Sequence, residues 1–318
     1  MLYVSTRNNT DLYSAYRALH ENQAPDGGYY VPQKIQCLSD DELAALSTMT
    51  FAERVARVLN IFFPVGLSGW DVEFTIGRQP YKLIRMNHKL YIAELWHNLK
   101  SEFFFLEQSL YTKLREDDKH SQKPSTWAMV AIRIAVLFGI YGELVKSGVT
   151  VTDFATATRD YSFITAAVYA QKMGLPIGKI ICCSDENENA WDIFHNGEIP
   201  CAADAKENQP LFEMLVCELF GNELVAEYLL CSDSKGLFRL TDEQLLIMNQ
   251  TLDGSVVSKA RCSGLAKSIY RTHDYVAEPS VAIAYGGLQD YRSRTGESRT
   301  TLLVSKISPK LLEHFVSV

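Results

Sequence analysis

Four groups of residues in this chain have side chains and spacing suited to chemistry. Glu94 and His97 lie three apart, and a histidine beside an α/β cleft can act as a base. Asp185-Glu186-Asn187-Glu188-Asn189 follows an apolar run, where open α/β sheets place ligand sites. Its oxygens suit Mg²⁺ or Ca²⁺, but it lacks the Asp-x-Asp-x-Asp-Gly spacing of a calcium loop, so no metal site is expected. The seven cysteines, Cys37, Cys182, Cys183, Cys201, Cys217, Cys231 and Cys262, are odd in number and contain no Cys-x-x-Cys pair. They read as reduced core thiols, with Cys182 and Cys183 as small hydrophobes in a buried run. Gly286-Gly287 reads as a turn or helix-end signal, not a dinucleotide fingerprint.

These residues need a frame, and the 318 residues, 47% hydrophobic and 22% charged, are enough to bury one large core or two ordinary ones. With 31 Lys and Arg against 38 Asp and Glu, the net charge is −7, and no basic cluster is present to neutralise phosphates. A nucleic-acid partner is not expected. The opening Met1-Leu2-Tyr3-Val4-Ser5-Thr6-Arg7 does not have the form of a secretory signal, so the expected location is cytoplasmic. The longest apolar run, Trp127 to Tyr141, contains Arg133 and is followed by Glu143 and Lys146. It reads as a buried core helix, and no membrane contact is expected.

Ser39-x-x-Glu42 and Thr50-x-x-Glu53 are capping boxes, each opening a short amphipathic helix. Pro25 to Pro32 is a turn feeding a short strand, and Lys82–Met86 with Lys89–Leu95 suggests a hairpin about Asn87-His88. Residues 111–126 are polar and closed by a proline, which makes them the linker candidate. Beyond them helix and strand alternate: helices near 127–147, 161–173 and 209–220, strands near 150–157 and 179–183, a helix capped by Thr241-x-x-Gln244, and a strand at 300–305. That alternation predicts an α/β core with a mainly parallel sheet.

Several of these segments, in this order, resemble threonine synthase, a pyridoxal-phosphate enzyme that converts O-phosphohomoserine to threonine. The resemblance is carried by Tyr3–Arg7, Ala24–Pro32 and Leu38–Leu46, then by Tyr91-Ile-Ala-Glu-Leu-Trp-His97, Ser125-Thr-Trp-Ala128 and Tyr169–Pro176. Weaker matches follow at Asp274–Pro279 and Leu303–Ser305. It implies a threonine-synthase-like amino-terminal region over 1–90 and a truncated pyridoxal-phosphate-enzyme-like α/β core over 91–318.

The departures from that family concern one chemistry. After Glu-Leu-Phe-His the family reads Gly-Pro-Thr-x-Ala-Phe-Lys-Asp, and its lysine forms the Schiff base; here Asn98–Phe105 puts Phe104 at that position, and a phenyl ring cannot form an imine. Lys100 is a displaced candidate amine about one helical turn away, and roughly 5–6 Å is too far for geometry that tolerates about 1 Å, so a surface lysine is expected. The family's phosphate cradle Gly-Asn-Phe-Gly-Asp corresponds to Arg159, Asp160, Tyr161, Ser162 and Phe163, which crowd a phosphate and set a carboxylate against it. The family also carries a smaller, cofactor-gripping domain between the lysine and the Asn-Trp-Ala helix. This chain has only a polar interval near 106–124 there, so that domain is expected to be largely deleted. At the end of the sheet Leu303-Val-Ser-Lys306 departs from the family's Ser/Thr that meets the pyridine nitrogen, though Ser305 can still fill that place.

The resemblance together with these departures implies a catalytically inactive relative with a binding, regulatory or assembly role, no cofactor, and a homo-oligomer or partner protein as its context, a small-molecule ligand remaining open. The alternative is an active threonine-synthase-like carbon–oxygen lyase with altered residues, which would use pyridoxal phosphate. A third reading is a cofactor-free enzyme using Glu94, His97 and Asp160. Phe103-Phe104-Phe105 reads as core, or as an interface left apolar by the lost domain.

Overall fold

In the computed structural model, residues 1–97, 100–115, 124–158, 161–186, 190–200, 209–233 and 236–311 are described. The chain opens with β1 (Leu2–Ser5), flanked antiparallel by β2 (Tyr13–Ser14) and β3 (Tyr30–Pro32), with α1 (Ala15–His20) between the latter two. Next come α2 (Asp40–Leu46), α3 (Phe51–Phe62) and α4 (Gly69–Ile76). The first two start at the expected boxes of Ser39 with Glu42 and Thr50 with Glu53; α4 has a third, Ser68 with Asp71. Each satisfies two helix-end N–H groups that water would otherwise have to reach.

The hairpin β4 (Lys82–Asn87) and β5 (Leu90–Glu94) leads into α5 (Phe103–Arg115) and α6 (Thr126–Lys146). Then follow β6 (Thr152–Ala157), α7 (Tyr161–Lys172), β7 (Ile177–Ser184), a π-helical turn at Asp192–Asn196, and β8 (Glu198–Pro200). The chain continues through α8 (Gln209–Phe220), α9 (Asn222–Asp233), β9 (Leu237–Arg239), α10 (Asp242–Thr251) and β10 (Leu252–Val256). It closes with α11 (Lys259–His273), α12 (Pro279–Thr295) and β11 (Thr301–Ser305). The main sheet runs β10-β7-β6-β11-β5-β4, parallel throughout except for β4. The α/β fold with a mainly parallel sheet is therefore as expected, and apolar clusters cover both faces. A sheet buried on both sides needs continuous apolar strands, and β5, β6 and β11 are buried at every position.

α6 is long and apolar enough to cross a membrane by length and composition, yet 83% of its most apolar window is buried inside the protein. It is the core helix that its apolar run predicted. α3 lies close against it because Gly142 has no side chain: a Cβ there would fall 1.4 Å from Arg54 Nη1. The Arg54 guanidinium fills that space and pairs with Glu143.

Two expectations are corrected. The polar interval read as a linker is helical as far as Arg115, because Leu106, Leu110 and Leu114 recur every fourth residue and are buried; its remainder, 116–123, lies outside the described residues. Glu107 and Arg115 look solvated in a composition count but are buried too. Gly286-Gly287 ends no helix. Both glycines are buried inside α12, where a Cβ on Gly287 would sit 2.3 Å from Cys183 Sγ, so they let α12 lie close on the sheet.

Candidate functional site

Parallel strands deliver their C-terminal ends to one edge of a sheet, and the residues just past those ends form its natural site. Here β5 ends at Glu94 and β11 at Ser305, which are register partners, and both are buried. The Glu94 carboxylate lies 2.7 Å from His97 Nε2, while the His97 imidazole stacks on the Trp96 indole at 4.2 Å between centroids. Trp96 Nε1–H donates to Ser305 Oγ at 3.1 Å. Three residues singled out in the sequence, Glu94, His97 and Ser305, thus meet at one place. His97, its side chain 30% exposed, is the member that reaches solvent.

Two further residues close this edge, and sequence reasoning missed both. Glu278, the residue before α12, is buried, and its carboxylate accepts the Lys306 backbone N–H at 2.5 Å. The Tyr275 hydroxyl is buried beside Ser305 and Glu94 without a hydrogen bond of acceptable geometry, and burial raises its pKa. Both lie in the weakly matching Asp274–Pro279 stretch; no periodicity marks them, since they precede a helix rather than sit on its face.

Burial also raises the pKa of Glu278. The folded protein therefore holds that proton to higher pH than the unfolded chain, and its contribution to stability, intact below the ordinary carboxylate range, is lost as pH rises through the folded value. Glu278→Gln keeps an acceptor for Lys306 N–H and removes the charge. Its thermal midpoint is expected to match the wild type near about pH 4 and to exceed it by about pH 8, measured by circular dichroism at both.

A second cluster, buried and closed, joins α5, α6 and α7. Phe103 from α5 and Phe163 from α7 are both buried, with ring centroids 5.2 Å apart. The Arg133 guanidinium of α6 lies over both rings, at 5.4 and 4.9 Å, and donates from Nε to Glu107 Oε1 of α5 at 2.8 Å. Tyr161 and Ser162, in the first turn of α7, are buried as well; Arg159 and Asp160 lie outside the described residues. Phe104 points outward and is 50% exposed, so of the three phenylalanines only Phe103 is fully core. The Lys100 Nζ lies 4.3 Å from the Phe105 ring and borders a groove between α4 and α5.

Asp185 and Glu186 follow β7, and 187–189 lie outside the described residues. Among the described residues no three His, Cys, Asp or Glu side chains are placed to hold a metal ion. Cys182 and Cys183 are buried in β7, and burial raises both thiol pKa values, which keeps them protonated and inert.

Residues 2–76 match the family model of the threonine synthase N terminus. Human threonine synthase-like 1 is 25% identical over 174 residues, which cover 50% of this chain and 23% of that protein. Mouse threonine synthase-like 2 is 29% identical over 112 residues, 32% of this chain and 23% of that protein. The chain thus spans about a quarter of the length of these curated relatives. The pyridoxal-phosphate-bound threonine synthase of Brucella melitensis superimposes with a TM-score of 0.81 at 15% identity, covering 97% of this chain and 89% of that one. Yeast threonine synthase gives 0.78 at 15% identity, covering 100% and 91%. The chain is threonine-synthase-like in its amino-terminal sequence and has the threonine synthase fold.

Proposed function

We propose that this protein is a threonine-synthase-like chain that carries out no pyridoxal-phosphate chemistry and works by binding or assembly. The observation that carries this reading is the plug of Phe103, Phe163, Arg133 and Glu107, which packs the segment that aligns with the family's lysine directly against the segment that aligns with its phosphate cradle. The residues present do not fit the cofactor in two further respects. Phe104 stands at the lysine position and has no amine to condense with an aldehyde. Ser305, which resembles the family's partner for the pyridine nitrogen, already accepts the Trp96 indole N–H, where the family carries a phenylalanine.

The experiment is an absorbance scan of the purified chain with excess pyridoxal phosphate, followed by borohydride and peptide mass mapping. The expected result is no internal-aldimine band and no trapped adduct. A band abolished by borohydride, together with a modified lysine, would sink this reading in favour of an active lyase with altered residues.

A further inference from the structure

α11 is charged with one sign. It carries Lys259, Arg261, Lys267 and Arg271 and no acidic residue, in a chain of net charge −7. Arg261 is held by Asp290 of α12, with contacts of 2.5 and 2.8 Å. Lys267 and Arg271 are exposed, and among the described residues neither has a carboxylate within ion-pair distance, Asp274 included. They stand four apart, where like charges on a helix repel. The helix dipole favours Arg271, which lies in the last turn, but its effect fades within that turn and does not extend to Lys267.

Beside these two cations the chain makes a groove. Asp274 caps α11 at a left-handed φ of 53°, and its N–H returns to the Tyr270 carbonyl at 2.8 Å. Past that turn Tyr275 is buried beside Ser305 and Glu94, whereas Val276 and Ala277 face α11. The space between, about 390 Å³, is lined by Ala266, Lys267, Tyr270, Arg271, Val276 and Ala277. Tyr270 is 54% and Val276 57% exposed, so an apolar wall and two unpaired cations open together to solvent. Apolar walls with a few polar groups of one sign select a ligand of the opposite sign.

We infer that this groove binds an extended acidic segment of a partner protein, in which two Asp or Glu residues separated by one residue meet Lys267 and Arg271 and a neighbouring apolar side chain lies on Tyr270 and Val276. The spacing matches. Residues two apart on an extended chain project to the same side about 6.6–6.8 Å apart, and residues four apart on a helix are offset by about 6 Å along its axis. An anionic lipid surface is met by clusters of about 4–8 Lys and Arg; two cations set in a groove suit a peptide instead. The inference rests on the binding role proposed above and names its partner class. No groove residue belongs to the plug or to the sheet edge, so the cofactor scan and the test of the groove can fail independently.

The test is selection of a random-peptide display library on the folded chain, followed by fluorescence anisotropy of the recovered peptide. Recovered sequences are expected to share two acidic residues separated by one, next to a bulky apolar residue. Lys267→Glu and Arg271→Glu should each weaken binding about tenfold, whereas Lys259→Glu, two turns further along α11, should leave it unchanged. The Lys267→Glu, Arg271→Glu double variant should bind the same peptide once its two acidic residues are replaced by lysine. If charge reversal disturbs the circular dichroism spectrum, Lys267→Gln and Arg271→Gln give the same comparison with a smaller perturbation. Recovery of no acidic pattern, an equal loss from Lys259→Glu, or a reversal without rescue would each overturn the inference. Co-sedimentation with phosphatidylserine-containing vesicles that survives Lys259→Glu but not Lys267→Glu, without peptide binding, would overturn it in favour of a lipid surface.

Discussion

Glu107→Ala is expected to cost about 3–5 kcal/mol of folding free energy, because it takes from the buried guanidinium of Arg133 the carboxylate it pairs with. The cost arises from the charge left behind rather than from the strength of the pair. In the wild type, desolvation of Arg133 is offset by the Glu107 carboxylate and by the faces of Phe103 and Phe163. Two rings do not replace a carboxylate. Glu107→Gln, which keeps the shape and an acceptor, should cost less than Glu107→Ala. Glu107→Leu combined with Arg133→Met should recover most of the loss, since an apolar pair of similar volume suits walls made of phenyl rings. Urea unfolding of Glu107→Leu, of Arg133→Met and of the double gives the coupling free energy directly. If Glu107→Ala is as stable as the wild type, the pair is open to water and the plug is not the tight filling described.

The plug also explains what was legible in the sequence and what was not. Capping boxes are local, so Ser39 with Glu42, Thr50 with Glu53 and Thr241 with Gln244 announced α2, α3 and α10 before any tertiary contact was known. The alternation of β6, α7, β7 and α8 was equally readable, because short apolar runs of strand length alternate with longer ones of helix length. α5 departs from its sequence reading for a physical reason: its buried Glu107 accepts from Arg133 on α6, and a count of polar residues cannot register a partner. Gly286-Gly287 failed in the same way, since in isolation glycines break helices, and the closeness of Leu265 and Val257 to Gly286 and of Cys183 to Gly287 accounts for them inside α12. The candidate site divides along that line. Glu94, His97 and Ser305 stand in recognisable segments at strand ends, whereas Trp96 bonding Ser305 across 209 positions, and Glu278 accepting the Lys306 N–H across 28, arise from contacts that no local pattern marks.

Trp127→Ala should remove about 3–5 kcal/mol and should do so for the whole chain at once. The indole is fully buried, packed edge-on with Tyr3, Phe62 and Tyr169, and donates from Nε1 to Tyr3 Oη at 3.1 Å. Tyr3 in turn donates to the Phe62 carbonyl at 2.9 Å. One side chain on α6 thereby joins β1, α3 and α7, so the amino-terminal region and the parallel sheet share a single apolar cluster. A cavity at their junction weakens both. Trp127→Phe, which keeps a ring and loses the indole N–H, should cost only about 1–2 kcal/mol, the range of a lost hydrogen bond with a modest loss of volume. The measurement is urea unfolding followed by far-ultraviolet circular dichroism and by hydrogen exchange resolved along the chain. A single transition shifted to lower urea, with exchange protection falling together before and after residue 90, is the expected outcome. Loss of protection confined to residues 1–90, with the sheet holding its wild-type stability, would instead make the amino-terminal region an independent domain and Trp127 a dispensable contact at its border.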